Sequence, residues 1–162
     1  MLKLVTGDTT EMLLTKTALV EDPLSEDIQK LLPEMVETMH REDGVGLAAP
    51  QIGLSLRLAV LEVEGTVYHL INPQITSLSE EKIVFEEGCL SLPGQYFPII
   101  RSEHLTVKYR DARGLPKKLR AEGFLAVVIQ HEVDHLDGIL ICHRFQKQQK
   151  NPLFKKLYGK IS

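Results

Sequence analysis

Apolar residues recur at helical spacing in one early segment of the chain. Within residues 28–39 they stand three and four positions apart: Ile28, Leu31, Leu32, Met35, Val36 and Met39. This spacing gathers the apolar side chains on one face and predicts an amphipathic N-terminal helix. Pro33 falls inside the pattern. Because proline has no backbone N–H to donate, we expect it to interrupt or kink this helix.

Alternating and β-branched runs predict strands through the middle of the chain. Two of them, 57–63 and 66–71, flank Glu64-Gly65, which predicts a tight β-hairpin. Further strands are predicted over 74–78 and 82–87, and the last pair, 104–110 and 116–121, flanks a turn at 111–114. The strands are expected to form mostly antiparallel sheets.

The segment from Ala121 to Leu136 is apolar on nearly every face as far as Ile129, which predicts a buried helix rather than a surface helix. Gly138 is placed to end it. Taken with the strands, this pattern predicts an α+β fold. Its mostly antiparallel sheets would wrap around the buried central helix, with an N-terminal helix and a short C-terminal helix added.

The buried helix carries the run His131-Glu132-Val133-Asp134-His135. A His-Glu-x-x-His run on a helix places two imidazoles one turn apart on the same face, where they can bind a divalent metal ion. Glu132 lies about 100° round the helix from His131, beside the open coordination position where a proton shuttle is needed. Two histidines in a buried apolar helix would be costly to desolvate without such a partner.

A third protein ligand has to come from another segment, and Cys89 in Glu87-Gly88-Cys89-Leu90-Ser91 is the best candidate. A thiolate suits iron, zinc, cobalt and nickel alike. The only other cysteine, Cys142, stands among apolar residues and is interpreted as core packing. Nothing marks the chain as secreted, so a disulfide between the two cysteines is not expected.

Three motifs together resemble the signatures of the peptide deformylase family, in the family's order. They are Gly44-Val45-Gly46-Leu47-Ala48-Ala49-Pro50-Gln51, Glu87-Gly88-Cys89-Leu90-Ser91 and Gln130-His131-Glu132-Val133-Asp134-His135-Leu136-Asp137-Gly138. The resemblance runs from about residue 25 to about residue 145. Members of this family use one metal ion, held by a cysteine and two histidines, to remove the formyl group from the N-terminal methionine of new proteins.

The resemblance implies a role for each site residue. Cys89, His131 and His135 hold the metal, which in relatives is commonly Fe²⁺, with Zn²⁺, Ni²⁺ and Co²⁺ as alternatives. Glu132 moves protons, and the side-chain amide of Gln51 with the backbone N–H of Leu90 binds the oxygen that becomes negative. The residues implied to bind the substrate are Val45, Gly46, Phe85, Gly88, Phe124, Val127, Val128 and the ring of His131. The substrate is an N-formylmethionyl peptide or nascent chain.

Two regions depart from the family pattern. Tyr96 stands where the family commonly has an arginine, so altered contacts to the peptide backbone are expected rather than lost activity. The first twenty residues match poorly, which leaves the first strand and turn undetermined. A deformylase-like paralogue with shifted acyl or peptide preference therefore remains an alternative, ahead of a metallopeptidase or a structural metal-binding module. An ion pair between Glu87 and Arg101 is expected to brace the cysteine loop.

Composition agrees with a single catalytic domain over residues 1–162. With 43% hydrophobic and 25% charged residues and no apolar run near 18 residues, we expect a soluble protein of the cytoplasm, with neither membrane nor DNA as a partner. Six of the 19 basic residues and none of the 22 acidic residues follow residue 143. This basic tail, taken as 146–162, either binds ribosomal RNA or packs Leu153, Phe154, Leu157 and Tyr158 on the body as a solvated helix.

Overall fold

The computed structural model describes residues 2–159, so the tail residue Lys160 lies outside the described part. The helices are α1 (Glu11–Leu14), α2 (Glu26–Arg41), α3 (Gly123–Leu136), α4 (Ile141–Gln149) and α5 (Pro152–Tyr158), and a 3-10 turn spans Ala49–Ile52. The strands are β1 (Gly46–Ala48), β2 (Leu58–Val63), β3 (Thr66–Leu78), β4 (Lys82–Cys89), β5 (Leu92–Ser102), β6 (His104–Arg110) and β7 (Pro116–Glu122).

The strands form two antiparallel sheets, which confirms the predicted α+β class. One sheet has five strands in the order β1-β2-β3-β6-β7, and the other is the ribbon of β4 and β5. The predicted hairpin at Glu64-Gly65 joins β2 to β3, and both residues have positive φ, 51° and 75°, as a two-residue turn between twisted strands requires. The predicted β6 and β7 also pair, across the turn at 111–114.

Residues 74–78, predicted as a separate strand, are the second half of β3. The strand runs unbroken from Thr66 to Leu78, and its register against β6 shifts between Ile71 and Gln74. A bulge admits the positive φ of Asn72 (53°) and the missing N–H of Pro73 without ending the strand. The Asn72 side chain then bonds both the N–H and the carbonyl of Val20 at 2.8 and 2.9 Å.

Strand β5 has no counterpart in the sequence prediction, because Pro93, Gly94 and Pro98 make its sequence resemble a loop. One edge of the strand pairs with β4. Glutamine side chains bond its backbone as well: Gln130 of α3 accepts from and donates to Ser102, at 3.0 and 2.9 Å, and Gln148 of α4 does the same for Ile100, at 2.9 Å each. Side chains distant in sequence therefore complete this strand.

Helix α2 is continuous through Pro33, so the predicted interruption is wrong, while a kink there stays a prediction. The Ser25 side chain caps the first turn. The predicted apolar face of α2 is buried or partly buried in a core cluster that includes Leu47 of β1 and Val60 of β2. Because a helix of 16 residues retains many bonds and this packing, the loss of one donor at Pro33 does not end it.

Helix α3 begins at Gly123, two residues after the predicted start, because residues to Glu122 belong to β7. Residues 126–133 of the helix are all buried, several of them in the cluster formed with β2, β3, β6 and β7. Gly138 follows the helix with φ of 75°, as predicted for its stop. The N–H and hydroxyl of Thr17 both donate to the Leu136 carbonyl at 2.9 Å, so the N-terminal segment caps this end.

The C-terminal residues form two short helices rather than one. Asn151 caps α5 by accepting from Leu153 N–H, and Pro152 opens that helix, so the chain breaks between α4 and α5 at this point. Phe154 is 6% exposed and its ring lies 5.7 Å from that of Phe145, so the tail packs through this apolar side chain, whereas Lys155 and Lys156 beside it are exposed. Among residues 2–159, no helix combines the length and apolar character needed to cross a bilayer.

Candidate metal centre

Cys89, His131 and His135 converge on one point. Their ligand atoms all lie within 4.8 Å of one another, and His135 Nε2 is 3.2 Å from both Cys89 Sγ and His131 Nε2. Bonds of about 2.0–2.1 Å to nitrogen and 2.3 Å to sulfur place the donors of a tetrahedral ion about 3.3–3.6 Å apart. The three donors therefore fit a single divalent ion and leave its fourth position open.

Two local features of the backbone, a helical spacing and a β-bulge, bring these three candidate ligands together. His131 and His135 are four residues apart on α3, so their rings point to the same side of the helix. Cys89 ends β4, where the register against β5 jumps from Gly88 opposite Tyr96 to Cys89 opposite Leu92. Such a bulge redirects a side chain at the end of a ribbon. Cys89 and Cys142 are both free thiols, and Cys142 is buried in an apolar cluster, as predicted.

The surroundings shift the pKa values of the two histidines in opposite directions. Burial lowers the pKa of His135, and the neighbouring charge of His131 lowers it further, so His135 is a neutral ligand. For His131 burial acts in the same direction, but hydrogen bonds with Cys89 and Glu87 outweigh it and raise the pKa. Glu87 Oε1 lies 2.8 Å from His131 Nδ1. A carboxylate there holds the N–H on Nδ1 and leaves the Nε2 lone pair for a metal ion.

Glu87 is itself fixed by the predicted ion pair with Arg101. The guanidinium donates to both Glu87 oxygens at 2.8 Å, and both side chains are almost fully buried. Burial alone would raise the pKa of Glu87, yet the bonds from Arg101 and His131 outweigh it and lower the pKa. Glu87 is therefore an anion that orients His131.

Glu132 is 3% exposed, and its Oε2 atom has no hydrogen-bond partner among residues 2–159. Burial, the largest cause, raises its pKa to about 7; the charge of His131 opposes this rise and the carboxylate of Glu87 adds to it. A Cβ atom on Gly46 would lie 2.3 Å from Glu132 Oε1, so the carboxylate needs a glycine at that position of β1. The site thus holds a carboxyl able to take up or release a proton near neutral pH.

Gln51 is 1% exposed, not the solvated loop residue that an isolated glycine-rich turn would suggest. Its Oε1 accepts from Ala48 N–H at 2.9 Å, which turns its amide nitrogen toward Ser91 Oγ at 3.2 Å and Cys89 Sγ at 3.7 Å. The donor therefore faces the metal ligands. Ser91, fully buried, is a contact that sequence reasoning missed although it lies inside the cysteine motif.

A cavity of about 590 Å³ opens beside these residues. All eight residues predicted to bind substrate line it: Val45, Gly46, Phe85, Gly88, Phe124, Val127, Val128 and His131. Cys89, Leu90, Gln51 and Glu132 line it too, whereas His135 lies behind them. The rings of Phe85 and Phe124 are 5.4 Å apart at its wall. The cavity thus joins an apolar wall to the polar groups of the centre.

The rim of the cavity includes residues that the motifs did not indicate: Leu4, Thr6, Glu42, Asp43, Pro93 and Gly94. They come from the N-terminal segment, the turn after α2 and the start of β5, none of which has a chemical signature of its own. Tyr96 is 66% exposed at the same rim. A Cβ on Gly88 would lie 2.7 Å from its ring, so the glycine lets the ring lie against the backbone.

Comparison with known proteins gives one consistent family. Residues 1–151 match the family model described as polypeptide deformylase. The chain is 49% identical over 133 residues to the peptide deformylase of Dictyoglomus thermophilum, covering 82% of this chain and 86% of that one. The crystal structure of the Thermotoga maritima peptide deformylase aligns with a TM-score of 0.86 at 40% identity, over 90% of this chain and 97% of that one. A Synechococcus elongatus peptide deformylase solved with actinonin aligns with the same TM-score at 36% identity, over 98% and 85%.

Proposed function

This chain belongs to the peptide deformylase family, metal-dependent hydrolases that remove the formyl group from new proteins, and we propose that Cys89, His131 and His135 hold its metal ion. The observation that carries the proposal is the convergence of these three donors within 4.8 Å, beside the buried carboxyl of Glu132. The helix that presents both histidines is buried against the five-stranded sheet, which keeps the donors in place.

We propose Fe²⁺ as the metal, because members of the family commonly use it. The thiolate and the two imidazoles also suit Zn²⁺, Ni²⁺ and Co²⁺. When bound, the ion supplies a Lewis acid that polarises the formyl oxygen and lowers the pKa of a water at its open position. The other steps of the reaction are carried out by side-chain and backbone groups of this chain.

Glu132 is proposed to carry the proton. Its carboxylate accepts a proton as the water oxygen attacks the formyl carbon, and it then donates that proton to the nitrogen of the departing amine. The C–N bond breaks, formate leaves, and the peptide keeps a free amino terminus. The unpartnered Oε2 and the raised pKa of Glu132 support this assignment, because a carboxyl already bonded or fixed as an anion could not shuttle a proton.

Gln51 and Leu90 are proposed to hold the oxygen that becomes negative during attack. The Gln51 amide is fixed by Ala48 N–H, so its N–H donors face the centre without reorganisation. Leu90 follows Cys89 directly and lines the same cavity, which supports a contribution from its backbone N–H.

The methionine side chain is proposed to occupy the apolar part of the cavity. Burial of an unbranched side chain against the five apolar lining residues and the His131 ring is favourable by about 25 cal/mol for each Å² removed from water. Gly46 and Gly88 let the peptide backbone approach closely. The family match over residues 1–151 supports one catalytic unit, of which 146–162 is the basic end. A cytoplasmic location stays a prediction.

Formate release from a formyl-Met tripeptide tests the assignment of the site. We expect formyl-selective release, with the acetylated peptide as control, by protein that carries one metal ion per chain. Replacing Cys89 with alanine should abolish both metal and activity. The matched variant Cys142→Ala removes the chain's other thiol, which lies in an apolar cluster, and should keep both. Metal retained by Cys89→Ala would contradict the ligand set, and release of acetate would support the alternative of a shifted acyl preference.

The ribosome is proposed as a docking partner through the basic end of the chain. Lys147 on α4, Lys150 directly after it, and Lys155 and Lys156 on α5 are all exposed, and ribosomal RNA offers them phosphates. We expect co-sedimentation with ribosomes that weakens as salt rises, and that falls in the double variant K155Q/K156Q. The pair K117Q/K118Q, on β7, is the control and should leave binding unchanged. Absent or salt-insensitive co-sedimentation would remove the docking proposal without affecting the catalytic one.

A further inference from the structure

Helix α4 presents two side chains, one turn apart, to the body of the protein. Arg144 donates two hydrogen bonds to the Asp134 carboxylate, from Nε to Oδ2 and from Nη2 to Oδ1, each 2.6 Å long. Gln148 bonds the backbone of Ile100 through both ends of its amide. Both contacts hold α4 in place, but only the first involves a residue of the metal-binding helix.

Asp134 lies between the two histidine ligands in sequence, and its carboxylate joins two arginines. Besides the two bonds from Arg144, its Oδ2 accepts from Arg101 Nη1 at 2.6 Å. Arg101 in turn grips Glu87, and Glu87 bonds His131 Nδ1. An unbroken series of charge-assisted bonds therefore runs from α4 to a metal ligand, and such bonds are stronger and more directional than neutral ones.

The charges along this series balance. Two guanidiniums alternate with two carboxylates, and Arg101 and Glu87 at its inner end are almost completely buried. Without Arg144 the Asp134 carboxylate would keep Arg101 as its one side-chain partner among residues 2–159. Arg101 would then be drawn toward Asp134 and away from Glu87, because a partly buried carboxylate left with fewer donors competes for those that remain.

His131 depends on this series more than His135 does. Nδ1 of His135 is buried and has no hydrogen-bond partner in the described part of the chain, whereas Nδ1 of His131 has Glu87. Of the two histidine rings, the one whose orientation is fixed by a hydrogen bond at Nδ1 among residues 2–159 is therefore His131, through Glu87. A change at the far end of the series would reach the metal through His131.

We infer that Arg144 is a positioning residue of the metal centre, which keeps His131 oriented by holding Asp134 and, through it, Arg101 and Glu87. The inference rests on the proposed ligand set. Arg144 touches neither substrate nor metal, and its side chain is 28% exposed, so it can be replaced without opening a cavity in the core. The competing explanation is that Arg144 only anchors α4.

Cobalt release separates the two explanations. Wild-type protein, Arg144→Gln, Arg144→Lys and Gln148→Leu are each loaded with Co²⁺ and mixed with excess EDTA, and the cobalt–thiolate absorption is followed with time. Loss of the outer partners of a metal ligand typically weakens metal binding about 10–100-fold. We therefore expect Arg144→Gln to release cobalt about 10–100 times faster than wild type. The release rate of Arg144→Lys should lie between those of wild type and Arg144→Gln, because an ammonium cannot donate to both carboxylate oxygens as a guanidinium does.

Gln148→Leu is the matched control, because it removes the other anchor of the same helix without touching the charged series. We expect its release rate to stay within about twofold of wild type even if its Tm falls as far as that of Arg144→Gln. Wild-type release by Arg144→Gln, or equal acceleration by Gln148→Leu, would overturn the inference. If Arg144→Gln does not fold, Arg144→Lys decides by the same comparison. Failure of the ligand set itself would show differently, as metal retained by Cys89→Ala.

Discussion

Glu132→Gln is expected to lower kcat about 10²–10⁴-fold while the protein still holds one metal ion per chain. Glutamine has nearly the same shape, so it fits beside Gly46, but its amide can neither accept the proton of the attacking water nor return it to the amine. The loss should appear in kcat rather than in KM, because Glu132 acts on atoms that move in the reaction and not on the methionine side chain. Single-turnover formate release with metal analysis of the same sample would measure both effects.

Glu86→Gln is the control for this experiment. Glu86 lines the same cavity and also loses one negative charge on substitution, but it is exposed to solvent, unlike the buried Glu132. Its kcat should stay within a few-fold of wild type. If Glu132→Gln loses metal in proportion to activity, the residue is supporting the ion and not moving the proton. An unchanged kcat would remove the proton role altogether.

Gln51→Leu is expected to lower kcat/KM about 10²–10³-fold, which corresponds to about 2.7–4 kcal/mol, the typical loss for one donor to a developing oxyanion. Leucine fills the buried space of the side chain and removes the N–H that faces Cys89. It also leaves the buried Ala48 N–H without its acceptor, so a fall in Tm is expected as well. Kinetics on the folded, metal-loaded variant would separate the two losses.

Ser91→Ala provides the comparison, because it removes the Gln51 neighbour at 3.2 Å and leaves the donor itself in place. Less than a tenfold effect on kcat/KM is expected. A loss for Gln51→Leu as small as that of Ser91→Ala would mean that the amide serves packing of the cysteine loop and not the reacting oxygen.

Local patterns predicted the parts of the fold whose stabilising contacts are themselves local. The Glu64-Gly65 hairpin, the 111–114 turn and α3 with its stop at Gly138 depend on turn chemistry and periodicity within a few residues. Strand β5 could not be predicted in this way. Its prolines and glycine indicate a loop, and the bonds that complete it come from Gln130 and Gln148, about 30 and 50 residues away. The bulge at Asn72 likewise needs a distant partner, Val20.

The same distinction applies to the candidate site. Three motifs carry the proposed ligands, Glu132 and Gln51, and the structure brings these residues together, while their roles stay a prediction. The motifs could not show which contacts fix these residues in place. Arg144 lies outside every motif, and a single basic residue in a basic segment has no signature. Only the folded chain shows that it grips Asp134 while Lys147 and Lys150 face solvent.

Gly138 limits how the first twenty residues can vary. A Cβ at this position would lie 2.6 Å from the Leu14 carbonyl oxygen, which is a backbone atom and cannot rotate away. Thr17, three residues after Leu14, supplies the hydrogen-bond donors for the end of α3. The N-terminal segment is therefore held by the path of its backbone past the glycine together with the buried side chains of Leu13 and Thr17. An N-terminus transplanted from another member of the family should be accepted if it keeps that path, an apolar residue at position 13 and a hydroxyl at position 17, whereas a chain trimmed past Thr17 would lose the cap of the helix that carries both histidines.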